Sequence, residues 1–148
     1  MKLEFRWFNC FWLLVPLLIW NIALGSKITL DAVLSDANSP AWLLFTENVT
    51  RILVFIFPIL LPFRVQDNLS KTGLGIYLVG TLIYFATWIP LILAPGSAWS
   101  QSPAGLLAPR LTPFLPFLGI AQIGHSVTYA GISIVFILLH TWHGIQNL

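Results

Sequence analysis

The sequence predicts an all-α, polytopic integral membrane protein: one membrane domain over residues 1–148, built as a bundle of four transmembrane helices with both termini in the cytoplasm. Three observations predict it. Hydrophobic residues make up 57% of the chain and charged residues 8%, where soluble chains carry about a quarter charged residues. The apolar residues gather into four runs, at 6–25, 41–63, 72–94 and 113–141, each long enough to compare with the ~20 residues that cross hydrocarbon as a helix. The segments between them are short, so no sizeable extramembrane domain is left.

The first run, 6–25, follows Lys2 and Arg6 and ends in the small residues Ala23 to Ser26. That pattern also fits a secretory signal peptide. Its length and its bulky Trp7, Trp12 and Trp20 favour a retained membrane helix instead, with Pro16 tolerated as a kink. The loop 26–40 is mildly acidic through Asp31 and Asp36, and Asn38-Ser39-Pro40 offers a cap and a first-turn proline for the second helix. That helix, 41–63, carries Pro58 and Pro62 in its last third, and Pro58 is expected to kink it. A polar turn at 64–71 leads to the third helix, 72–94. The stretch 95–110 is rich in Pro, Gly and Ser with a single charge. It reads either as an interfacial lid or as an ordinary loop. The fourth helix covers 113–141.

Four basic residues (Lys2, Arg6, Arg64, Lys71) flank one side and two (Lys27, Arg110) the other. This excess favours a cytoplasmic location for both termini, in what is expected to be the plasma (inner) membrane. The formal charge of +2 arises from seven scattered basic residues, which leaves no footprint for nucleic acid. A single cysteine, Cys10, excludes an intrachain disulfide and a CxxC motif. Phosphate-loop and dinucleotide fingerprints are missing from the sequence, and no cofactor is expected.

The feature that asks for an explanation is Glu47, Asn48 and Arg51 inside the second span. Charged side chains there cost a few kcal/mol each even on mild insertion scales. Counting about 1.5 Å per residue from an outer entry near Ala41 puts Glu47 about 9 Å deep and Arg51 about 15 Å deep. The two are four apart with the acid first, the favourable order for an intrahelical ion pair. One reading is structural glue between helices; the other is a binding or proton-handling site.

Two further polar lines fall at the same depth. Tyr77, Thr81, Tyr84 and Trp88 share one face of the third helix, with Thr87 nearby, and Gln122, Ser126, Tyr129 and Ser133 share one face of the fourth, with His125 at its side. Opposite that second line, Ala121, Gly124, Thr128 and Gly131 form a small-residue stripe suited to close helix packing. The expected ligand-binding set is therefore Glu47, Asn48, Arg51, Tyr84, Trp88, Gln122, His125, Ser126 and Tyr129, meeting in an outward-facing polar pocket. Glu47 and His125 are the candidates for acid–base catalysis. His140 and His143, three apart and with no carboxylate or cysteine joining them, read as interfacial histidines at the cytoplasmic end rather than as metal ligands; no metal is expected. Haem ligation by His125 and His140 is excluded on one continuous helix, where they stand about 22 Å apart.

An arginine among amides, hydroxyls and rings suits an anionic or carbonyl-bearing head on an apolar body. The expected function is binding, or helping to move, a small lipid-, quinone- or isoprenoid-like molecule. The alternatives are a membrane-embedded enzyme using Glu47 and His125, and an accessory or structural subunit of a larger complex. Expected partners are membrane lipids, such an amphipathic ligand, and helices of another copy or of another membrane protein.

Overall fold

The computed structural model describes residues 8–25 and 39–148. The basic flank 1–7 and most of the loop 26–40, with Asp31 and Asp36, lie outside the described residues. The fold is all-helical, 78% helix with no strands among the described residues. A 3-10 turn, Cys10–Leu13, leads into α1 (Val15–Gly25); α2 (Ala41–Ile56) continues into a 3-10 turn, Phe57–Leu60; α3 is Asn68–Leu93, α4 Pro103–Leu111, α5 Phe114–Ile123 and α6 Val127–Gln146.

Among the described residues, four helical stretches are long and apolar enough to cross a membrane: Ala41–Leu60, Asn68–Leu93, Pro103–Ile123 and Val127–Gln146. The number agrees with the sequence reading, but the members differ. The first apolar run is the short one, Cys10–Leu24, and the expected fourth helix, 113–141, is two helices. Gly124-His125-Ser126 turns the chain back on itself. His125 adopts a left-handed φ of 49°, and the Ser126 side chain caps α6 by accepting from the Tyr129 N–H at 3.1 Å. Gly followed by a Ser cap is a stop–start signal, here hidden inside an uninterrupted apolar run.

The stretch 95–110 is also not a plain loop. Ser102 accepts from the Gly105 N–H at 3.1 Å, Pro103 takes the first turn, and α4 begins there. The second helix ends earlier than 63, because Pro58 turns it into a 3-10 turn and Leu61 leaves it in extended conformation. Leu61 then accepts from the Cys10 N–H at 2.9 Å, in line with the bridge between Asn9 and Pro62.

These connections fix the order of the bundle ends. Asn9 sits by Pro62, just past α2, whereas Asn147 donates to Ser39 Oγ at 3.0 Å, just before α2. The first and last described segments therefore lie at opposite ends of α2. This arrangement does not bear out the expected placement of both termini on one side.

Packing is closest between α3 and α5. A Cβ on Gly119 would lie 2.6 Å from the Gly73 carbonyl and from the Tyr77 nitrogen, so only glycine lets these backbones approach. This is the small-residue contact anticipated for the 121–131 stripe, but other residues supply it. Thr128 and Gly131 face outward, and a Cβ on Gly131 would meet nothing within 4 Å. α6 packs on α2, α4 and α5. Tyr77 fastens the 3-10 turn to α3 by donating to the Leu13 carbonyl at 2.7 Å, and Trp20 of α1 stacks on Phe85 at 4.2 Å.

Candidate functional site

Glu47 is the organising residue. Its position on the inner face of α2 buries it to 1% exposure, and an ionised carboxylate is an acceptor only. Three groups supply hydrogens. Arg51, one turn on, ion-pairs with Oε1. From α6, His140 Nδ1 lies 2.8 Å from the same oxygen and His143 Nδ1 lies 2.6 Å from Oε2. With the carboxylate accepting, both imidazoles carry their hydrogen on Nδ1. One side chain thus ties α2 to α6 by two histidines one turn apart.

A cavity of about 380 Å³ lies beside this cluster. All six helices contribute to its wall. The polar contributions are Asn21, Arg51, Tyr84, Trp88, Arg110 and His140; the remainder is aliphatic, aromatic or proline, including Leu17, Phe55, Leu91, Phe117 and Phe136. Glu47 itself is not on the wall. It sits behind it and holds two wall residues, Arg51 and His140. The Arg51 side chain is 42% exposed, so its guanidinium is shared between Glu47 and its surroundings. His140 is stacked on Phe136, with centroids 5.3 Å apart and planes at 12°.

The other polar wall residues are held from different helices. Tyr84 hydrogen-bonds Asn21 of α1. Trp88 stands edge-on to Tyr84 at 6.1 Å, and its indole N–H meets no acceptor among the described residues. Arg110 enters from the last turn of α4 and is buried. Gly144 makes room for it, since a Cβ there would lie 2.6 Å from Arg110 Cδ.

Of the residues expected to meet in a pocket, Arg51, Tyr84 and Trp88 line the cavity, with Glu47 directly behind. Asn48 faces outward from the bundle. Gln122 packs where α5 meets Gly73. Ser126 is spent as the cap of α6, and Tyr129 is buried against Phe57, with centroids 6.0 Å apart. His125 lies at the opposite end of the bundle, where its Nε2 is 2.8 Å from Asp67 Oδ2. The Glu47–His125 couple is not formed.

That second carboxylate–histidine pair is a surface feature, with the two side chains 50% and 52% exposed. Asp67 is also the cap of α3, accepting from the Ser70 N–H at 2.8 Å. This backbone bond first, then the Ser70 hydroxyl and the neighbouring His125, hold its carboxyl below the ordinary aspartate range.

Four site residues escaped the sequence reading: Asn21, Arg110, His140 and His143. The histidines were read as lacking a carboxylate partner, and Glu47 is that partner, 93 and 96 positions away. An asparagine inside the first apolar run was itself a signal, since a polar side chain there needs a partner. Among the described residues no group of three or more His, Cys, Asp or Glu is arranged to hold a metal ion. No family model, curated protein or solved structure matches this chain, so the site's own chemistry carries its interpretation.

Proposed function

We propose that this is a protein of the plasma (inner) membrane that binds, or helps to move, a small amphipathic molecule with an anionic or carbonyl-bearing head. The observation that carries the reading is the cavity, about 380 Å³ in volume, with Arg51, Arg110 and His140 on an otherwise largely apolar wall. Small-molecule pockets run from about 300 to 1,000 Å³ and combine apolar walls with a few convergent polar groups. Arginine recognises carboxylate or phosphate oxygens with fixed geometry, while the aliphatic and aromatic walls suit a hydrocarbon body. The polar groups turn inward, Glu47 at 1% and Tyr84 at 2% exposure, which favours a pocket over a face that docks a partner's helix.

The sidedness of the cavity follows from the basic residues. Arg64 and Lys71 lie in and just after the 61–67 connection, at the end of α2 remote from Glu47. The positive-inside rule places that end in the cytoplasm. The cavity then belongs to the outer half of the membrane. An acid–base couple of Glu47 with His125 has no support, because the two groups lie at opposite ends.

The test is native mass spectrometry of the purified full-length protein and of Arg51→Met. The expected result is an amphiphile retained by the parent chain and lost from a folded variant. Removing one charge-assisted hydrogen bond, worth about 1.5–3 kcal/mol, weakens binding roughly 10- to 100-fold. A parent chain that retains no amphiphile, or equal retention by the variant, would sink the proposal.

A further inference from the structure

His140 is placed on the cavity wall by its helix and oriented from behind by Glu47. Its Nδ1 is committed to the carboxylate at 2.8 Å, and no described residue pairs with its other ring nitrogen, Nε2. In a neutral imidazole with hydrogen on Nδ1, Nε2 is an acceptor. The wall therefore offers a hydrogen-bond acceptor next to the guanidinium of Arg51. An anionic head drawn in by Arg51 carries acceptors only, and two lone pairs facing each other away from water repel. The contact becomes favourable once a hydrogen stands between them.

We infer that an anionic head group binds this cavity together with one proton, held between a head-group oxygen and His140 Nε2. The inference rests on the reading of the cavity as an amphiphile site and names its ligand class: a single-chain amphiphile with an oxyanion head, carboxylate or phosphate. The proton comes from solvent, His140 passes from neutral imidazole to imidazolium or shares the hydrogen with the ligand, and no other bond forms or breaks. Glu47 is a positioning residue in this scheme. By accepting from Nδ1 it leaves Nε2 for the cavity, and its charge stabilises the imidazolium that results.

The groups facing His140 fit a proton that arrives with its anion. Glu47 and Arg51 approach from α2 and Arg110 from α4, while His143 lies one turn away on α6. Across the cavity, α3 offers the Tyr84 hydroxyl, α1 the neutral Asn21, and α5 only apolar groups such as Phe117. An anion bound beside His140 stabilises a proton on its ring, and that proton in turn holds the anion, so proton and anion favour each other's binding.

The experiment is titration calorimetry of the full-length protein in maltoside micelles with decanoate, decyl phosphate and decanol, each below its micelle concentration, with empty micelles as the reference. Decanoate stays ionised in water above about pH 6, so any proton bound with it is taken from the buffer. The expected result is an affinity for decanoate that falls about tenfold per pH unit between roughly pH 7 and 8, with about one proton taken up per ligand when buffers of different ionisation enthalpy are compared. Decanol, which brings its own O–H, binds without proton uptake. His140→Gln, which can offer an amide N–H to the anion, binds decanoate with a flat pH profile. Tighter, proton-coupled binding of decyl phosphate instead of decanoate supports the inference with phosphate as the head. Decanoate or decyl phosphate binding with no proton uptake overturns the inference and leaves the amphiphile site standing. Failure of all three probes to bind at any pH removes the site, and the inference with it.

Discussion

Two carboxylates at opposite ends of this bundle each meet histidine, at nearly the same distances. Glu47 meets His140 and His143 at 2.8 and 2.6 Å, and Asp67 meets His125 at 2.8 Å. Their surroundings differ. The Glu47 side chain is 2% exposed and has Arg51 as a third partner, whereas Asp67 and His125 are about half exposed at 52% and 50%. In water such a pair gains little, because solvent screens it and side-chain entropy opposes it. Withdrawn from water, the same pair cannot be left half-made, since an unpaired buried charge is expensive. The buried cluster therefore constrains which helices meet and which groups face the cavity. The exposed pair decorates a turn that the backbone already makes.

The largest effect is expected from Glu47→Ala. It strands Arg51, His140 and His143 at the junction of α2 and α6, and losing one member of a buried ionic cluster costs about 3–5 kcal/mol. Reversible unfolding in mixed micelles is expected to show a loss of that size, against no measurable loss for His125→Ala at the other end. Next in size, Arg51→Met is expected to cost ligand rather than fold, because its side chain is 42% exposed while Glu47 keeps both histidines. Its readout is amphiphile binding, weakened roughly 10- to 100-fold, with melting temperature nearly unchanged.

Two smaller predictions probe the end that carries His125. Ser126→Ala removes the cap of α6 and is expected to cost about 1 kcal/mol, measurable in the same unfolding assay. The acid limb of stability reports on Asp67. Its carboxyl is held below its ordinary value in the fold, so the stabilisation it gives is complete above the unfolded value near pH 4 and is lost as pH falls through the lower folded value. Asp67→Asn is expected to flatten that limb slightly. An unfolding series from about pH 6 to pH 3 checks it, and an unchanged limb would show that the pair has no energetic role.

How far the site could be read from the sequence depends on one turn. The Glu47–Arg51 pair was visible as an i, i+4 pair inside an apolar span, and the Tyr77–Tyr84 face of α3 was visible as a stripe. Glu47 at 1%, Tyr77 at 5% and Tyr84 at 2% exposure do point inward. The turn at Gly124-His125-Ser126 was not visible, because hydrophobicity continues through it and periodicity alone cannot tell one long helix from two antiparallel ones. Missing it reverses the direction of everything that follows. Drawn as one helix, 113–141 carries His140 and His143 to the end away from Glu47 and His125 to the middle. The partner that Glu47 required did exist in the sequence, but at the wrong end of a helix drawn with the wrong polarity. Arg110 is hidden for a related reason: 95–110 has the composition of a loop, so its arginine counts in the sequence as a flanking charge instead of a wall residue.

If Glu47 holds Arg51 and His140 in the wall of a cavity that receives an anionic head group, an experimental density map of the full-length protein purified in native lipid will show it. The expected map shows elongated density in the cavity, its head within hydrogen-bonding reach of Arg51 and His140 Nε2, and Glu47 still bonded to both histidines. A collapsed cavity, or a Glu47 carboxylate turned away from His140 and His143 toward lipid or a neighbouring chain, would contradict it.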